Sequence, residues 1–206
     1  MFTRRYTNFW DGLFRPSKTH ILGSGEVKTM TNLVVNGNFV DTTGWTGVDS
    51  TISAASNTCS DTGNGANAYP YFKQNVTGII GRTYALTYRV RVTNSNCLSL
   101  RYRFMNSGST ESVLTPVANT WYQITVVFTA NGTFPEELRL YHQYADASTA
   151  NGKVMEAQYV SIVDLTDAFG AGNEPTQTEY ESWINTQSNS WFDTTAQYLC
   201  NTNQWF

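Results

Sequence analysis

Between about Thr31 and Leu165, apolar and polar side chains alternate in short runs, the period-two pattern of strands with one buried face and one solvated face. Thr83 to Thr93 places Tyr84, Leu86, Tyr88, Val90 and Val92 on one face, with Thr87, Arg89 and Arg91 on the other. Leu98 to Met105 repeats the design, Leu98, Leu100, Tyr102 and Phe104 alternating with Arg101 and Arg103. Tyr69 to Asn75, Trp121 to Thr129, Glu137 to Tyr144 and Val154 to Leu165 read as four more strands, with turns at Asn131-Gly132 and Asn151-Gly152. Strands this short and this closely spaced predict an all-β fold, an antiparallel jelly-roll sandwich over residues 31–165.

The flanks read differently. Residues 1–30 place Tyr6, Phe9, Trp10, Leu13 and Phe14 at i, i+3, i+4, i+7 and i+8, the stripe of a short amphipathic helix that Pro16 ends. This segment carries Arg4, Arg5, Arg15, Lys18 and Lys28 against Asp11 and Glu26, a net +3 on a chain of net −3. Gly23-Ser24-Gly25 then reads as a flexible joint. So many aromatic side chains on a stretch too short for its own core predict an anchoring arm that docks on another protein. At the other end, residues 166–206 read as a Gly-rich loop, a short helix after Pro175 and an irregular strap rich in Trp, Phe and Tyr.

Composition narrows the function. Only 14% of residues are charged, and the mild net negative charge gives no reason to expect nucleic-acid binding. No apolar run reaches the roughly 18 residues of a membrane span, and Arg4 and Arg5 are not followed by the apolar run of a signal peptide. Cys59, Cys97 and Cys200 are an odd number at wide spacing, which fits buried thiols and no zinc site or disulfide framework. His20 and His142 form no pair, and the chain has no nucleophile elbow, zinc-protease or phosphate-loop motif. Glu136, Glu137, Asp146 and Glu156 could supply glycosidase carboxylates, but nothing in the sequence singles out two of them. The expectation is a protein that is not an enzyme. Sugar binding suits the residues better, since a saccharide ring lays its C–H face on an aromatic ring while its hydroxyls bond polar side chains. Candidates are Tyr69, Tyr71, Tyr102, Tyr141, His142 and Tyr144.

Two motifs carry resemblances. Asp164-Leu165-Thr166 with Phe169-Gly170-Ala171-Gly172-Asn173-Glu174-Pro175-Thr176 resembles a "DLTxxFGAGNEPT" signature that closes jelly-roll modules in minor structural proteins of tailed bacteriophages. Asn32-Leu33 to Phe39, followed by Gly44-Trp45, and the strand Asn119 to Thr129 resemble cellulose- and xylan-binding carbohydrate-binding modules. The resemblances span about residues 31 to 180. They imply a phage virion component in the tail, fibre or capsid decoration, assembled in the host cytoplasm and released by lysis. Its partners would be other virion proteins, multiple copies of itself, and a weakly bound host-surface glycan. A dedicated carbohydrate-binding module and an accessory domain of a cell-wall hydrolase are the alternatives. The module resemblance also implies Trp45 and Trp121 as packing residues and a structural calcium held by Asn38, Asp41 and Glu156, although Glu156-Ala157 lacks the paired acidic residues usual there.

Overall fold

The computed structural model describes residues 27–105, 111–132 and 137–199. The alternating run beginning at Thr83 forms β6 (Thr83–Val92), and Tyr84, Leu86, Tyr88, Val90 and Val92 all point into the interior. It pairs antiparallel with β9 (Tyr122–Thr129) on one side and β11 (Val154–Asp164) on the other. That sheet continues through β4 (Thr58–Gly63) to β3 (Ser50–Ala55), in the order β3-β4-β11-β6-β9. The second sheet contains β2 (Thr46–Val48), β5 (Tyr71–Asn75), β10 (Glu137–Gln143), β7 (Ser99–Arg103) and β8 (Glu111–Leu114), in that order. Every pairing is antiparallel, and the two sheets enclose one apolar layer, so the molecule is the expected jelly-roll sandwich.

The core is built on aromatic side chains. Phe39, Trp45 and Phe72 pack with ring centroids 5.1 to 5.9 Å apart, and Tyr84, Phe104 and Phe128 form a second group. Trp45 is buried, as expected, and its indole N–H donates to the Asn36 carbonyl at 3.3 Å. The Asn36-Gly37 step has a steric reason. A Cβ on Gly37 would lie 2.0 Å from the Val160 carbonyl oxygen, because the Val160 amide donates to the Gly37 carbonyl across 2.9 Å. β11 bulges there, between Gln158 and Ser161, with Tyr159 at φ 55°.

A second cluster lies outside the sandwich. α1 (Ala147–Ala150) is a single turn capped by Asp146, but α2 (Leu165–Phe169) and α3 (Gln177–Ile184) fold back over the β6–β9 end of the first sheet. Leu165, Phe169, Tyr180, Ile184 and Phe192 cover Met30, Ala85 and Val163 there. The chain then returns as β12 (Thr195–Leu199), which pairs with β1 (Val27–Thr31). Two expectations change as a result. Val27 to Met30, placed in the arm, form a strand of the body. The strap, expected to be irregular, contains the regular strand β12. The short helix does follow Pro175, which is buried one residue before the N-cap of α3. The anchoring stripe of Tyr6, Phe9, Trp10, Leu13 and Phe14 lies outside the described residues.

The segment from Asp164 to Thr176 is a structural clasp. The Asp164 carboxylate caps α2 and binds Arg82 at 2.8 Å. The Thr166 hydroxyl accepts from the Thr83 amide at 2.9 Å and donates to Glu174, whose other oxygen accepts from the Gly172 amide at 2.7 Å. Gly170 and Gly172 adopt φ of 83° and 81°. Thr176 and Glu179 close a reciprocal capping box. Asn32 performs a similar service at the opening motif. Its side chain accepts from the Val34 and Ile162 amides and donates to the Phe192 carbonyl, tying three segments together.

Candidate functional site

Strand register decides which polar side chains meet on the outer face of the β2-β5-β10-β7-β8 sheet. Along β10, Leu138, Leu140 and His142 point inward, so Glu137, Arg139, Tyr141 and Gln143 point outward. Arg139 lies directly opposite Lys73 on β5 and Arg103 on β7. One step along, Tyr141 lies opposite Tyr71 and Arg101, and a further step places Gln143 opposite Ser99. The face is therefore ruled into cross-strand rows, with strands about 4.8 Å apart and rows about 6.8 Å apart.

The rows are bonded to one another. Arg139 donates to Glu137 at 2.9 Å and to the Tyr141 hydroxyl at 3.2 Å, and its guanidinium lies 5.0 Å from the Tyr71 ring centre. Lys73 contacts the other Glu137 oxygen at 2.8 Å. Tyr71 and Tyr141 stack with centroids 4.4 Å apart. Gln143 donates to the Tyr69 hydroxyl at 3.1 Å and accepts from Ser99 at 2.8 Å. Burial acts to raise the Glu137 carboxyl, but the hydrogen bonds from Arg139 and Lys73 outweigh it and hold the group below its ordinary value of 4.5. Burial is also the main cause that raises the Tyr71 phenol. At the β2 edge, a cavity of about 360 Å³ continues from Lys73, lined also by Val35, Gly44, Thr46, Gln74 and Asn75. Among the described residues no helix or strand packs over this face, whereas α2 and α3 cover part of the opposite sheet.

Of the six candidate tyrosine and histidine positions, three reach this face. Tyr69 is exposed, Tyr71 is half-buried, and Tyr141 is buried beneath its neighbours but aligned with the outer row. Tyr102, His142 and Tyr144 are corrected to interior positions, each 5% exposed or less, where no saccharide can touch them. His142 bridges two sheets: its Nε2 lies 3.1 Å from Asp61 on β4, and its Nδ1 lies 3.1 Å from the Tyr144 hydroxyl. This is a buried polar crosslink. Lys73, Arg101, Arg139 and Gln143 were missed as candidates, because only the pairing register shows that residues far apart in sequence share a row.

The opposite sheet supplies a second correction. Trp121, expected in the core, is half-buried beside β9, with the guanidinium groups of Arg89 and Arg91 4.9 and 4.7 Å from its ring centre. The outward-pointing Arg89 and Arg91 reach over it across the sheet surface. The expected calcium donors are occupied in separate places. Asp41 accepts from the Thr43 amide and the Asn36 side chain in its loop, while Glu156 on β11 pairs with Arg91 on β6. Asn38 adds no acidic oxygen, and no group of three His, Cys, Asp or Glu side chains converges among the described residues. Cys59 and Cys97 are buried, and burial pushes their thiols up to about 12 and about 11. Among the described residues no helix is long and apolar enough to cross a membrane.

No family model and no curated protein matches the chain. Among solved structures it is similar to an arabinose-bound GH51 α-L-arabinofuranosidase, with a TM-score of 0.50 and 13% identity over 79% of this chain. The match spans 30% of that enzyme. A family 16 carbohydrate-binding module is similar at a TM-score of 0.43 and 19% identity, covering 64% of this chain and 99% of the module. The enzymatically active domain of bacteriophage CBA120 tailspike protein 4 is similar at 0.42 and 18%, covering 64% of this chain and 21% of that one. At such identities the likeness is one of fold.

Proposed function

We propose that this chain is a glycan-adhesion module of a phage virion, and that the outer face of the β2-β5-β10-β7-β8 sheet is where the saccharide lies. The observation that carries the binding role is the Tyr71–Tyr141 pair locked beside Arg139, Glu137 and Lys73. A sugar needs apolar ring surface next to fixed donors and acceptors, and hydrogen bonds pre-set in this way lower the ordering cost of binding. The activity proposed is binding, not hydrolysis. Glu137 is engaged by two cations, and among the described side chains of this face no second carboxylate stands beside it to share acid and base roles. The virion assignment rests on the Asp164 to Thr176 motif and its resemblance to phage structural proteins. The second cluster gives that motif a role in keeping the module closed.

Two experiments test the reading. Pulldown on purified host-surface polysaccharides should retain the protein, and Tyr71→Ala with Tyr69→Ala should weaken retention at least tenfold while circular dichroism stays unchanged. Equal retention by the double variant would move the site elsewhere. Mass spectrometry of purified particles should find the chain in stoichiometric amount; its absence would return it to the class of stand-alone binding modules.

A further inference from the structure

We infer that the cavity at the β2 edge holds the terminal sugar of the glycan, so that this face recognises a chain end and not the middle of a polymer. The inference rests on the proposed location of the site and goes beyond it in naming the part of the saccharide that is read. β2 pairs with β5 only from Thr46 to Val48. At Gly44, with φ of 84°, the chain turns away, so Gln74 and Asn75 have no strand beside them on that side among the described residues, and the cavity of about 360 Å³ opens there. The loop between β1 and β2 closes it. Buried Gln74 donates to the Val35 carbonyl and accepts from the Val35 amide, each at 2.7 Å, which holds Val35 against β5 in place of a strand ladder. Asn36 fixes the rest of the loop by donating to the Asp41 side chain and the Thr43 carbonyl and by accepting from the Val40 amide. A glycan that runs from Tyr71 past Lys73 into the cavity therefore ends against a fixed wall of Val35 and Gly44.

The groups inside suit a sugar ring. Thr46 lies opposite Lys73 and shares its outward face, and Asn75 points outward two residues further along β5. Both are exposed, and neither side chain has a hydrogen-bond partner among the described residues. The Asn75 amide and the Thr46 hydroxyl each offer donor and acceptor capacity to ring hydroxyls, while the Val35 side chain, 65% exposed, offers apolar surface to a C–H face. The Lys73 ammonium is already engaged by Glu137, so recognition of the end ring falls to Thr46 and Asn75. Asn75 stands four residues from Tyr71, about 13 Å along the strand, so the cavity and the tyrosine pair hold different rings of one chain.

The test uses the full chain in calorimetric titrations against purified host-surface polysaccharide cut into short and long fragments, with concentrations counted as chains. A chain-end site gives the same affinity per chain at both lengths, whereas a site for internal sugars gives an affinity per chain that rises with length. Thr46→Trp, which fills the cavity, should weaken binding of both fragments at least tenfold. Asn75→Ala should weaken it several-fold with an unchanged circular dichroism spectrum, and because it removes only exposed atoms it carries the test if the larger substitution disturbs folding. Affinity per chain that rises with length and is lost on Tyr71→Ala with Tyr69→Ala, but kept in Thr46→Trp and Asn75→Ala, would overturn the chain-end inference while sparing the face. Equal affinity per chain that survives both cavity substitutions would overturn it by placing the end-holding pocket elsewhere. Failure of both fragments to bind would overturn the site itself.

Discussion

The two tryptophans show how a single residue's role turns on its neighbours. Trp45 sits within the Phe39 and Phe72 rings and its N–H is satisfied, so Trp45→Ala should cost about 3 to 5 kcal/mol in urea unfolding. Trp121 lies half-buried beneath two arginines, and Trp121→Ala should cost on the order of 1 kcal/mol. Equal losses would mean that both occupy the core. Glu137 gives a pH-dependent counterpart. Its folded-state carboxyl is held below 4.5, so the stabilisation is fully present above that value and is lost as pH falls through the lowered one. Glu137→Gln should therefore be less stable than the parent at pH 7, with the gap closing well below pH 4; a gap that persists in acid would show that packing, not charge, accounts for the loss.

At the level of elements, the strongest sequence signals were strands in which large apolar residues alternate with polar ones, and the structure places six of these within two residues at either end. The Ser- and Thr-rich β3 and β4 were illegible, since STISAA and TCSDTG contain little to distinguish a buried face from a solvated one. β1 and β12 were illegible for a different reason: each gains its partner only from the far end of the chain. The site was half legible. Aromatic composition pointed to Tyr69, Tyr71 and Tyr141, but the same rule also selected Tyr102 and Tyr144, because residue type does not reveal which way a strand faces. The clasp carries its own prediction. Thr176→Ala removes the capping box of α3 and should cost about 0.5 to 2 kcal/mol. It should also raise amide exchange in α3 before the β6–β11 strands are affected; uniform exchange would show that the clasp and sandwich unfold as one unit.

Across the whole molecule, the two outer faces divide the work. One is partly covered by α2 and α3 from the C-terminal segment; the other presents the rows of Lys73, Arg139 and Arg103 and of Tyr71, Tyr141 and Arg101. A sandwich with a densely packed aromatic core and one ordered polar-aromatic face is suited to binding without rearrangement, which limits the entropic cost of capture. The most direct measurement is amide chemical-shift mapping of the isotopically labelled chain during titration with host-surface polysaccharide fragments. The account predicts shifts concentrated on β5, β7 and β10, centred at Tyr71, Lys73, Arg101, Arg139 and Tyr141, with little change around Trp121. Shifts centred on Trp121, Arg89 and Arg91, or spread evenly over both sheets, would contradict it.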